Sequence, residues 1–272
     1  MKIGICSIQR NRAKWLSEWV TFHHIAGCTH FYIYLHKCTD NSESVIKNLQ
    51  RFFNIKCFIL SEDVNRPQIA AYEHCYQSYG HELDWMAFID GDEFLFPKNS
   101  PSLKLSLEPY SYEKLSAIAV FWKCFGSSFH INDPNGLIIE DYLYRAKHDF
   151  TANHHIKSIV KGGQGKHLFS LGNSHIFNTI YGTVDEKLRS IDKGFLPELV
   201  PSYDVFQINH YVVQSREFFL NFKSHSGAAD AGSAWIRDEN WWEEHNKNDE
   251  IDHEILQFLP DLKQLLIYNL KA

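Results

Sequence analysis

Asp90, Asp92 and Glu93 crowd into four residues directly after the apolar run Trp85-Met86-Ala87-Phe88-Ile89. A short continuous apolar run is the pattern of a strand buried on both faces. Carboxylates at the end of such a strand are costly, because an unpaired buried charge loses several kcal/mol or neutralises itself. Three together therefore await a cation. Two aspartates one residue apart, with Gly91 letting the backbone turn, suit a hard divalent metal ion that also grips a diphosphate. The competing reading is a strand-ending turn with solvated acids.

A third ligand beside an aspartate pair is often a neutral imidazole. The chain has 16 histidines, so most must serve packing or the surface. His23 and His24 lie on an expected helix and read as packing or surface groups. His175, in Asn173-Ser174-His175-Ile176-Phe177, and His210, in Gln207-Ile208-Asn209-His210-Tyr211, each lie in or beside a short apolar run, where a histidine needs a partner. They are the candidate further metal ligands. Gln9-Arg10-Asn11-Arg12 follows the first expected strand; a loop there faces the ligand in a nucleotide-binding α/β domain, and its arginines suit phosphate or base. There is no Gly-X-Gly-X-X-Gly loop, P-loop, Gly-X-Ser-X-Gly elbow or His-Glu-X-X-His helix.

The elements that must hold these groups alternate along the first 90 residues. Strands are expected at residues 2–8, 31–35, 56–60 and 84–90. Helices are expected at 11–26, where Trp15, Leu16, Trp19, Val20, Phe22 and Ile25 recur at helical spacing before Gly27, around Val45, Ile46 and Leu49, and at 68–79. This alternation predicts an α/β fold with a mostly parallel central sheet flanked by helices. Ligands in such sheets sit at the carboxyl ends of the strands, where the acids are. A strand is expected at 117–123. Residues 125–140, rich in Gly, Ser, Asn and Pro, read as an active-site loop, and residues 162–165 as a second loop. Residues 238–254 read as a solvated or helical excursion anchored by Trp241 and Trp242, and residues 256–270 as an amphipathic helix docked on the core.

The 272 residues, 44% hydrophobic and 22% charged, suit an ordinary globular chain with a substantial core. A net charge of −6 supplies no basic field for nucleic acid. Six cysteines without a Cys-X-X-Cys pair read as reduced and buried. The opening Met-Lys-Ile-Gly-Ile-Cys-Ser-Ile is too short an apolar run for a signal peptide, and no 18-residue apolar segment occurs, so the expected location is a reducing, bacterial cytoplasm with at most peripheral membrane association.

The order of short segments carries a resemblance. Asn11, then Trp15 to His23, Gly27, Phe31-Tyr32-Ile33-Tyr34 and Thr39-Asp40-Asn41-Ser42 resemble the opening of glycosyltransferase family 92 and its glycosyltransferase-2-like bacterial relatives. Gln68 to Cys75 followed by Trp85 to Pro97 resembles their metal-site block. Phe121-Trp122, Phe125-Gly126-Ser127-Ser128, Lys157-Ser158-Ile159-Val160, His175 with Phe177, and Asn209-His210-Tyr211 with Ser215 and Glu217-Phe218 follow in the expected order. The resemblance implies a GT-A (Rossmann-like) glycosyltransferase fold over 1–235, with a nucleotide-sugar half at about 1–100 and an acceptor half at about 101–235, before a helical extension over 236–272. It implies a UDP-sugar donor, Mn2+ or Mg2+, and inverting transfer of a hexose, galactose favoured, to a glycan or glycolipid acceptor. It also implies work on bacterial surface polysaccharide or lipopolysaccharide at the inner face of the membrane. Carried onto this chain, Asp90 and Asp92 hold metal and diphosphate, Asp40 lies on the donor-side loop with Arg10 and Asn11 near it, and Lys157 neutralises phosphate.

Two positions depart from the family pattern. Arg12 stands where a Glu usually follows the loop Asn, and His36-Lys37-Cys38 stands where an acidic or amide residue usually precedes Asp40. Both lie where base or ribose would be read. An inverting transfer needs a base for the acceptor hydroxyl; Glu93 and Asp230, the latter after Gly227-Ala228-Ala229, are the candidates. Trp122 and Phe125 are the candidate stacking surfaces for acceptor sugar. A metal-dependent nucleotide-sugar hydrolase or nucleotidyltransferase, and a non-catalytic glycan-binding module, are the alternative functions.

Overall fold

The computed structural model describes residues 1–163, 169–170, 173–225, 227, 229–230 and 237–271. The expected loop residues Gln164 and Gly165, and the expected boundary at 235/236, fall outside the described residues.

The first half is built as the residue pattern predicts. Strands β1 (Ile3–Gln9), β2 (His30–Leu35), β3 (Ile55–Ile59) and β4 (Trp85–Phe88) alternate with helices α1 (Ala13–Ile25), α2 (Ser42–Leu49) and α3 (Pro67–Tyr79). The four strands pair in the order β3-β2-β1-β4, every pair parallel. Side chains alternate between the sheet's two faces. Ile5, Ile33 and Ala87 meet α1 on one face, and Cys6, Tyr34 and Phe88 meet Tyr72 and Cys75 of α3 on the other.

After β4 the chain adds β5 (Glu93–Pro97), α4 (Leu103–Ser111), β6 (Ala117–Cys124), α5 (Ile138–Asp141), β7 (Tyr144–Arg145), β8 (Ile156–Lys161), β9 (Phe169–Ser170) and β10 (Phe177–Asn178). Then come β11 (Thr183–Asp185), β12 (Ser190–Ile191), β13 (Phe206–His210), α6 (Arg216–Phe218), α7 (Glu239–His245), β14 (Glu250–Ile251) and α8 (Leu259–Lys271). In the ten-stranded sheet β1, β2, β3, β4, β6, β11 and β13 run one way, while β5, β8 and β12 oppose them. The sheet is therefore large and mostly parallel, with helices on both sides.

Strand β5 is absent from the sequence reading because an acid begins it. Its backbone is satisfied by α1: Trp19 Nε1 donates to Glu93 O at 2.9 Å, and Leu95 N–H donates to His23 Nε2 at 3.1 Å. His23 is consequently a neutral core histidine, its pKa pushed down to about 3 by burial. Residues 125–140 do not line the cleft expected of them. They strap the start of α1: Lys14 pairs with Asp133, and buried Glu18 accepts the N–H groups of Ile138 and Ile139 at 2.9 and 3.0 Å, covering the first turn of α5. At the carboxyl end, β14 pairs with β7, and Ile255, Phe258 and Leu262 enter the main core. Among the described residues no helix is long and apolar enough to cross a membrane.

A candidate active site at the strand ends

A cleft of about 560 Å³ opens at the carboxyl ends of β1 and β4, where a parallel sheet places ligands. Asp90 and Asp92 stand on its wall. Gly91 between them has a φ outside the left-handed region, and a Cβ there would meet the buried Gln9 side chain, Oε1 at 2.4 Å, so that side chain would have to shift. Arg12 fixes the same turn. Its guanidinium donates to Gly91 O at 2.7 Å and to Gln214 Oε1 at 3.1 Å, with Trp15 and Phe218 packed against it. The residue that departs from the family pattern thus holds the acid pair in place.

The two aspartates are held differently. Asp90 Oδ1 accepts from Gln68 Nε2 and, at 3.3 Å, from Tyr72 OH, while Oδ2 accepts from Lys157 Nζ at 2.8 Å. Lys157 is fully buried on β8, with Glu93 Oε1 a further 3.8 Å away. Burial works against its charge, but Asp90 and Glu93 outweigh burial and raise its pKa. Asp92 Oδ2 lies 2.5 Å from Lys223 Nζ, and Oδ1 lies 3.8 Å from His210 Nε2. Burial would raise the Asp92 carboxyl, yet the charges of Lys223 foremost and of Arg12 hold it below the usual carboxylate range. Burial brings His210 down to about 3, so its imidazole is neutral and able to ligate.

His175 faces the same cleft as Asp90, within electrostatic reach of it, but its ring nitrogen is bonded elsewhere. It lines the cleft with Nδ1 bonded to Ile156 O at 2.8 Å, and its ring packs on Trp122. Trp122 stands on the cleft wall within a ring of histidines, 4.1 Å from His210 and stacked 4.9 Å from His155. Phe125 has no face on the cleft; it is fully buried against Tyr211. Glu93 is also fully buried: its Oε2 accepts the Asp90 N–H at 2.8 Å beneath the turn, away from any acceptor. Asp230 accepts the Gln68 N–H at 2.8 Å and so caps α3, whose first residue is Pro67. Asp40 is spent likewise. Its oxygens accept from Ala13 N–H at 2.9 Å and from Ser42 N–H at 3.0 Å, at the starts of α1 and α2, off the cleft. Arg10 and Asn11 do line the cleft. Asn11 adopts a left-handed backbone, φ 52°, tied by its side chain to Thr39.

Sequence reasoning missed Lys223 and Arg237, both on the cleft wall, and the second-face partners Gln68 and Tyr72. Gln68 and Tyr72 lie inside the quoted block 68–75, so the signal was present. Lys223 and Arg237 had none beyond charge.

A profile of glycosyltransferase family 92 matches residues 2–196, which include the acid pair, Lys157 and His175 and stop before His210. The chain belongs to glycosyltransferase family 92. A family 92 protein of Oryza sativa subsp. japonica is 26% identical over 159 residues, 58% of this chain and 26% of that protein. One of Ricinus communis is 34% identical over 91 residues, 33% of this chain and 16% of that protein. The chain's matches thus span 26% and 16% of these relatives' length. Among solved structures, S. aureus TarS 1-349 in complex with UDP-GlcNAc is 13% identical, covering 95% of this chain and 72% of that chain with a TM-score of 0.42.

The donors present fit a divalent ion in one particular way. Among the described residues no three His, Cys, Asp or Glu groups stand close enough to hold a metal by themselves. Asp90 is already occupied by Gln68, Tyr72 and Lys157. Asp92 Oδ1 and His210 Nε2 remain, 3.8 Å apart, a spacing that two ligands of one ion adopt. Two protein donors are too few for a hard divalent ion, so the rest of its shell would have to come from outside the described residues.

Proposed function

We propose that this family 92 chain transfers a hexosyl group from a UDP-sugar to a hydroxyl of a glycan acceptor, with inversion. The observation that carries the reading is the Asp90–Asp92–His210 arrangement in a cleft also lined by Arg10, Lys223 and Arg237. Cations on the wall of a strand-end cleft suit a diphosphate. Asp92 and His210 would hold Mn2+ or Mg2+, whose chemistry is to take charge from the leaving diphosphate. Arg12 keeps Gly91, and with it both aspartates, in register. Trp122 offers an aromatic wall to a sugar ring beside His210. Neither carboxylate proposed from the sequence is assigned the acceptor's proton: Glu93 lies beneath the turn bonded to the Asp90 N–H, and Asp230 is engaged at the start of α3. The galactosyl preference and the bacterial surface-glycan setting rest on the family resemblance alone.

The test is a calorimetric titration of UDP into the protein, first with Mn2+ and then with EDTA, repeated on Asp92→Ala. Micromolar, metal-dependent affinity that is lost in the variant is expected. The absence of UDP binding in both conditions would overturn the donor assignment. Cleavage of UDP-sugars at the same rate with and without glycan acceptors would favour a hydrolase.

A further inference from the structure

The acid pair is neutralised by two lysines that differ in one respect. Lys157 sits on β8 with its side chain 1% exposed and has no place on the cleft wall. Lys223 is on that wall, at the end of a π-helical turn, Phe219–Lys223, in which Ser224 N–H reaches back five residues to Phe219 O at 2.8 Å. Such turns are rare and concentrate at functional sites, because the extra residue re-aims a side chain. Here it aims Nζ at Asp92 Oδ2, at 2.5 Å, across 131 residues of sequence.

That contact has a consequence for the ion the site accommodates. Asp92 is the acid with an oxygen facing His210, and its other oxygen is taken by an ammonium. A divalent ion drawn to Asp92 meets Lys223 as a rival of the same sign about one ligand distance away. At such a separation like charges repel strongly in a partly buried site. A diphosphate resolves the conflict, since it offers both cations new oxygens. Arg237 and Arg10 line the same cleft and supply the remaining positive wall.

We infer that Lys223 is an exchangeable counter-ion: it neutralises Asp92 in the nucleotide-free protein and passes to the diphosphate of the donor when the donor and its metal arrive. This deepens the proposed glycosyltransferase site and rests on it for the identity of the diphosphate. Lys223 is then a donor-binding residue, and metal and nucleotide bind cooperatively because each displaces the ammonium toward the other's benefit.

The experiment titrates MnCl2 alone, and UDP in the presence of Mn2+, into wild-type protein, Lys223→Met, and Lys223→Gln, which keeps a neutral donor to Asp92. Thermal melts check that each variant folds, and Lys223→Gln carries the test if Lys223→Met does not. Without the ammonium, Mn2+ alone should bind at least tenfold tighter, while UDP with Mn2+ should bind at least tenfold weaker; each tenfold step is about 1.4 kcal/mol. Mn2+ affinity unchanged or lowered in the folded variant would overturn the exchange, as would unchanged UDP affinity. A wild-type protein that binds no UDP at all would fail the proposed function instead, and the Mn2+-alone titration would still decide whether Lys223 competes for Asp92.

Discussion

Lys157 is the group on which the strand-end turn depends. Its ammonium lies 2.8 Å from Asp90 Oδ2 and 3.8 Å from Glu93 Oε1, with its side chain 1% exposed and that of Glu93 fully buried. Lys157→Met keeps the volume and removes the charge. Breaking a buried pair by deleting one partner costs about 3–5 kcal/mol, because the survivor is left uncompensated. Here the cost falls toward the lower end. Asp90 keeps Gln68 and Tyr72 and is part exposed, and Glu93 has an escape: burial first, with Asp90 nearby, already raises its carboxyl well above the ordinary value, so it takes a proton. About 3 kcal/mol, roughly a hundredfold in the folded-to-unfolded ratio, is the expected loss at pH 8.

The sign of the pH dependence follows. A carboxyl whose folded pKa is raised contributes instability that grows as pH rises above its unfolded value, and removing Lys157 raises Glu93 further. The Lys157→Met penalty should therefore be larger at pH 8 than at pH 5.5. Glu93→Gln on that background should recover most of it. Urea unfolding followed by tryptophan fluorescence, run as a double-mutant cycle, measures each term. A Lys157→Met protein within 1 kcal/mol of wild type at pH 8, or a double variant no better than the single, would refute this reasoning. That result would free Lys157 for the phosphate-neutralising role the sequence suggests.

Two further outcomes follow from the same site. Gly91→Ala drives a Cβ to 2.4 Å from Gln9 Oε1 and should cost about 1–3 kcal/mol together with UDP affinity; adding Gln9→Ala should return most of the stability, and strictly additive losses in urea unfolding would refute the steric account. Stability should also fall most steeply below pH 4.5. His23, His175 and His210, brought from 6.5 to about 3 chiefly by burial, leave the unfolded chain with the extra protons between those values, so acid destabilises. Glu18, raised from 4.5 to about 7, and Glu93 act in the opposite sense above pH 4.5 and offset much of that loss. Below it the histidines are joined by Asp90 and Asp92, whose carboxyls are held below the ordinary range and likewise lose stability in acid, and urea unfolding at pH 7, 5.5, 4 and 3.5 should show at least twice the slope there. A decline that is steepest between pH 6.5 and 5 would contradict the assignment.

What was legible in the sequence was local. Apolar spacing in 11–26 and the runs at 2–8 and 31–35 fix element type by themselves, and alternation then leaves few arrangements other than a parallel sheet with ligands at its strand ends. The position of the acids after Ile89 followed from that alone. The jobs of individual polar side chains did not, because each is decided by a partner far away in sequence. Asp40 and Asp230 look alike as exposed-loop acids, yet 27 and 162 residues separate them from the helix starts they satisfy. Glu93 reads as a third cleft acid until β5 turns it beneath its neighbours, and Phe125 reads as a platform until β13 brings Tyr211 over it. His175 and His210 have similar local surroundings, and both reach the cleft; the pairing of β13 with β5, which sets His210 opposite Glu93, is what brings His210 beside Asp92. Arg12 shows how much a partner adds: the sequence marks it only as a departure from a family pattern, and its bond to Gly91 O, made from the cleft wall itself, ties it to the turn that carries both aspartates.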